Sequence, residues 1–67
     1  MGGSDMSKNE AGVLLDKAVQ YGYSAIITEI GDGSWRVRVS KDGRWIVVVD
    51  DEDFDDAREK PELWEGV

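Results

Sequence analysis

The chain has 67 residues, no cysteine, no histidine and a formal net charge of −7. That length allows one domain with a marginal core, and the composition excludes disulfides and zinc sites built on thiolate or imidazole. With the usual general base and the best nucleophile both missing, and no replacement constellation, the expectation is a protein that is not an enzyme and carries no cofactor.

The charge is unevenly placed. Residues 1–49 hold six acidic and six basic side chains, and residues 50–67 hold nine acidic ones against Arg58 and Lys60. A neutral body therefore carries an acidic C-terminal element, densest at residues 50–56. Such a block repels phosphate and attracts basic surfaces. The longest apolar run, residues 45–49, is far short of the roughly 18 residues of a membrane span. No basic region precedes an apolar stretch at the N-terminus. No signal peptide or membrane association is expected, and the expected location is cytoplasmic.

In chain order, residues 1–6 read as a flexible tail. Met1-Gly2-Gly3-Ser4-Asp5 is either an expression leftover ahead of Met6 or a natural flexible tail. Residues 7–67 form the single domain. Ser7-Lys8-Asn9-Glu10 fits a capping box. Ala11, Leu14, Leu15, Ala18 and Val19 then form one apolar helical stripe, which Gly22 stops. Asp32-Gly33 and Asp42-Gly43 each separate strand-like runs, at 24–30, 35–40 and 45–50. Asp-Gly is a strong signal for a two-residue type I′ turn. Three antiparallel strands in a meander follow, with the second central. After Asp50 the period becomes helical: a short helix over 53–60, capped by Asp51 or Asp53, then a turn around Pro61, Leu63 and Trp64. The fold class is α+β, in the order α-β-β-β-α.

If both turns are two-residue loops, Ile30 faces Trp35, Thr28 faces Val37 and Ile26 faces Val39. Across the second turn, Val39 faces Ile46 and Val37 faces Val48. The core face then holds Ile26, Thr28, Ile30, Trp35, Val37, Val39, Ile46 and Val48. The outer face holds Ile27, Glu29, Arg36, Arg38, Ser40, Trp45, Val47 and Val49, with Glu29 opposite Arg36.

Two surfaces are candidates for binding. The first is the acidic element: Asp50, Asp51, Glu52, Asp53, Asp55 and Asp56. It lacks the spacing of a calcium loop, so it is read either as a solvated helix start that suits the dipole or as a face for a basic protein, ahead of a metal site. The second is the outer sheet face, where Trp45, Val47 and Val49 stand beside Arg36 and Arg38, residue types common at binding anchors. Leu63 and Trp64 are the internal candidates to cover it.

The element order resembles that of double-stranded RNA-binding domains, in order and length only. That family places lysines at the start of its second helix to grip phosphate. The matching region here is residues 50–56, with no lysine, so the resemblance does not carry RNA binding with it. The expected function is a non-catalytic, small acidic protein-binding module. Its sharper form is a phage-like inhibitor, a nucleic-acid mimic occupying a basic nucleic-acid-binding surface of its target. The alternative is a homo-oligomeric structural protein, a homodimer for example, joined through the outer sheet face.

Overall fold

A computed structural model of the chain describes residues 6–66. Helix α1 spans Lys8–Gln20, strands β1, β2 and β3 span Ser24–Gly31, Ser34–Lys41 and Arg44–Val48, and helix α2 spans Asp51–Glu59. A 3-10 turn, Pro61–Leu63, leads into a short strand β4, Glu65–Gly66. The sheet is antiparallel in the order β1-β2-β3-β4. The α+β class holds, but the sheet has four strands, not three.

Local chemistry sets the ends of α1. The Ser7 hydroxyl accepts from the Glu10 amide, and the Glu10 carboxylate accepts from the Ser7 amide at 2.9 Å, which closes the capping box. At the other end the Tyr23 amide reaches the Ala18 carbonyl and the Gly22 amide reaches Val19. This pair of bonds is a Schellman stop, centred on Gly22. Ala11, Leu14 and Ala18 are buried, Leu15 is half-buried, and Val19 is 53% exposed, so the inward stripe is narrower than the sequence pattern.

The second hairpin has the expected register: Val39 pairs Ile46, and Val37 pairs Val48. Asp42 and Gly43 both take positive φ, 56° and 83°, as a type I′ turn requires. The first hairpin differs. Asp32 and Gly33 do form its turn, but the register shifts between Glu29 and Gly31. Gly31, at φ 101°, accommodates the bulge that takes up the extra residue. Beyond it Glu29 pairs Trp35, Ile27 pairs Val37 and Ala25 pairs Val39. Thr28, not Glu29, is therefore opposite Arg36. On β1 the faces are exchanged: Ala25, Ile27 and Glu29 lie on the helix side, while Ile26, Thr28 and Ile30 lie outside. The slip also brings Tyr23 inward, where its ring meets Phe54 at 5.7 Å and Trp64 at 5.6 Å.

Two short segments finish the far side of the sheet. Met6, read as the end of a tail, is 6% exposed and exchanges backbone hydrogen bonds with Trp35. It takes the place beside β2 that β3 leaves after Val48. At the other end of β3, β4 pairs Gly66 with Arg44 and Glu65 with Trp45. A Cβ on Gly66 would meet the Gly43 carbonyl oxygen at 2.7 Å, so this docking depends on glycine.

Both helices lie on one face, α1 over β1 and β2, α2 by β3. Between them sit Val37, Val39, Val48 and Phe54, each fully buried. Helix α2 begins two residues earlier than expected because Asp50 is its cap, accepting from the Asp53 amide at 2.7 Å.

Gly43→Val tests the second turn. A Cβ there meets nothing, so the cost is conformational alone, about 1–3 kcal/mol for a β-branched residue at positive φ. The melting temperature should fall; an unchanged value would contradict this turn.

Candidate functional site

The acidic element is largely engaged within the fold. Asp50 caps α2. The Asp53 carboxylate accepts from the Val49 amide at 3.1 Å, tying the helix start to the end of β3. Asp51 and Asp55, one helical turn apart, both accept from the Lys17 ammonium, at 2.8 and 3.2 Å. Asp55 also accepts from Arg58 at 3.2 Å. The Asp51 hydrogen bond chiefly, with Asp55 adding to it, raises the Lys17 pKa above its ordinary 10.5. Glu52 and Asp56 are left exposed. With Glu59 they fall at i, i+4 and i+7, a ridge on the side of α2 opposite Phe54. Among the described residues no group of three or more acidic side chains is placed to hold a metal ion. Among the described residues no helix is long and apolar enough to cross a membrane.

The outer sheet face is a different surface. Arg36, Arg38 and Ser40 of β2 share it with Trp45 and Val47 of β3; Val49 follows just beyond the strand, half-buried. The Arg38 guanidinium lies 4.6 Å from the Trp45 ring centroid, a cation–π contact on a half-buried indole. Ile26, which the expected register hid, is 56% exposed here, and Val47 is 40% exposed. Ile26, Arg38, Ser40, Arg44 and Trp45 line a shallow bay of about 520 Å³.

Leu63 and Trp64 do not cover this face. Trp64 stacks on Tyr23 and donates its indole N–H to the Ala57 carbonyl at 2.8 Å, on the helix side of the sheet. Leu63 is 46% exposed. A second basic cleft, about 330 Å³, opens on that side among Tyr23, Lys41, Arg44, Arg58 and Trp64. It was not legible in the sequence, since it assembles residues from five separate elements or turns.

No protein-family profile matches the chain, and no curated protein or solved structure matches it.

The Lys17 clamp makes a pH prediction. A raised folded-state pKa gives stability that is complete below about pH 10.5 and disappears as pH rises through the higher folded value. Lys17→Met should lower the urea midpoint at neutral pH, and its deficit against the unsubstituted chain should shrink in strongly alkaline buffer. A deficit constant across that range would show that the ammonium contributes nothing.

Proposed function

We propose that the chain is a non-catalytic protein-binding module whose docking surface is the outer sheet face. One observation carries this reading: none of the described elements packs on that face, although it exposes Ile26 and Val47 around an Arg-stacked Trp45. Leaving an Ile side chain in water forgoes about 1.5–3 kcal/mol of burial, which matters in so small a domain. Arg36 and Arg38 give the surface a basic character. The partner it fits is a protein segment with apolar side chains set among carboxylates, which supply bidentate acceptors for guanidinium. A face-to-face homodimer is disfavoured, because a two-fold would set these arginines against their own copies.

The ridge of Glu52, Asp56 and Glu59 supports a second reading, the one in which the acidic helix engages a basic groove on a protein target. Asp50, Asp51, Asp53 and Asp55 are held within the fold, so on α2 it is this ridge whose carboxylates are directed wholly outward. In its sharper form the module is an inhibitor that mimics nucleic acid and does not bind nucleic acid itself, because its charge repels phosphate.

Photo-crosslinking separates the two. A photoreactive residue placed at Val47 should capture a defined protein species in a cell extract. The same residue at Val13, exposed on α1, should not. Trp45→Ala with Val47→Ser should leave the fold intact and abolish binding of the captured species. Equal crosslinking from both positions would defeat the sheet-face reading. For the second reading, Glu52→Gln with Asp56→Asn and Glu59→Gln should slow association and flatten its salt dependence. Direct binding of nucleic acid at physiological salt would count against it.

A further inference from the structure

We infer that the open edge of β1 is a pairing surface for a second copy of this chain. In an antiparallel ladder, successive residues direct their backbone groups to opposite sides. Trp35 gives its N–H and C=O to Met6, on the side of β2 away from β1. The alternation then makes Glu29–Trp35, Ile27–Val37 and Ala25–Val39 the pairs without mutual hydrogen bonds. The N–H and C=O groups of Ala25, Ile27 and Glu29 therefore point outward, along an edge that no described segment covers.

Small proteins usually blunt such edges with Lys, Pro or a bulge. β1 has neither Lys nor Pro, and its bulge lies beyond Glu29, so residues 25–29 stay regular. This stretch is self-complementary about a two-fold at Ile27. Ile27 pairs with Ile27 of the partner subunit, and Ala25 with Glu29 of the partner subunit. All three outward residues then exchange hydrogen bonds. The only charge on β1, Glu29, sits opposite alanine and well away from its own copy. Helix α2, with most of the net negative charge, lies by β3, away from this edge.

The same two-fold brings α1 against its copy. Lys17 on one flank of α1 reaches α2, so the opposite flank, with Gly12, Leu15 and Val19, overlooks the β1 edge. Helix and strand also match in length. The helix starts level with Glu29, through Met6 and Trp35, and ends beside Ser24. About 7 Å of strand separates Glu29 from Ile27, and about the same rise along the helix reaches Gly12. Gly12 thus lies near the two-fold. An α1 seated over β1 and β2 alike, with strands roughly 5 Å apart, would place the two helix axes about 10 Å from each other, within packing distance. A Cβ on Gly12 meets nothing among the described residues, so no contact there accounts for a mid-helix glycine. Close approach by the second helix does. Lys8 and Asp16 stand one turn to either side of Gly12; neither has an ion-pair partner among the described residues, and the Lys8 ammonium has only the Trp35 ring, 5.6 Å from its centroid. Antiparallel crossing at Gly12 sets Lys8 against Asp16 of the partner subunit. The outer face with Trp45 stays open, so this contact is independent of the docking proposed above.

Light scattering after gel filtration, at concentrations up to millimolar, should give twice the 7.5 kDa chain mass. Gly12→Arg keeps or improves the helix and should raise the dimer dissociation constant at least about tenfold by obstructing the approach. Circular dichroism verifies that this variant is folded. Lys8→Asp and Asp16→Lys should each weaken the dimer roughly three- to tenfold, and the two together should restore it. The amides of Ala25, Ile27 and Glu29 should exchange slowly in the dimer and fast in Gly12→Arg. A monomer at every concentration overturns the inference. So does a dimer that Gly12→Arg leaves intact, which would locate the contact elsewhere.

Discussion

The Phe54 ring is where the two halves of this chain meet. It is fully buried, within 6.0 Å of the Tyr21 ring and 5.7 Å of Tyr23, with the Lys17 ammonium 5.6 Å from its centroid. Helix α2 buries only Phe54 and Ala57. A nine-residue helix does not persist alone in water. Its existence therefore rests on one aromatic anchor, worth about 3–5 kcal/mol if truncated to alanine, against a total stability of similar size for so small a domain. The Schellman stop at Gly22 is what holds Tyr21 and Tyr23 on either side of that ring. Arg58, one turn beyond Phe54, stacks on Tyr21 at 4.0 Å and closes the aromatic cluster from outside.

The acidic run then has a structural explanation before any functional one. Acids in a first turn favour the helix dipole by about 0.3–1 kcal/mol each, and a side-chain cap adds about 1 kcal/mol. Asp50 and Asp53 fasten the helix start, and Asp51 and Asp55 grip Lys17 from the neighbouring helix. Clustering Asp50, Asp51, Asp53 and Asp55 thus serves an element too short and too polar to be stable by packing. What remains outward on α2 is the narrow ridge of Glu52, Asp56 and Glu59. The molecule ends up two-sided, with acid on the helix layer and arginine and tryptophan on the bare sheet.

Features governed by neighbouring residues were legible in the sequence. The capping box at Ser7, the stop at Gly22, both Asp-Gly turns and the register of the second hairpin depend on a few adjacent residues each. The face shared by Arg38, Trp45 and Val47 followed from that register. The first hairpin did not follow, because residues 25–30 are apolar at both parities. Ala25 and Ile27 suit one face, Ile26 and Ile30 the other, so alternation could not decide. Tertiary packing decided, by drawing Tyr23 toward Phe54 and leaving the extra residue to a bulge at Gly31. The fourth strand was beyond reach for another reason. Two residues carry no periodicity, and their pairing depends on Gly66 passing close to Gly43.

Sheet boundaries show how far a chain of this length can go in covering itself. Beside the central strand, Met6 continues the line that β3 abandons. Beyond β3, Glu65 and Gly66 cover its first two residues. Each device costs the chain very little length. Among the described residues the β1 side receives nothing comparable, because its neighbour in sequence, α1, is already committed to the core face through Ala11, Leu14 and Ala18. The outer face receives no described element either, since Trp64, the larger of the two late apolar candidates to reach round, is held on the helix side by Tyr23 and Ala57. The unprotected edge and the unprotected face thus have one origin. Every remaining apolar element is needed to bury Phe54 and the three inward valines, Val37, Val39 and Val48. In the two proposals above, completion of the sheet is left to other chains: backbone pairing suits the edge, and side-chain recognition through Trp45 and its arginines suits the face.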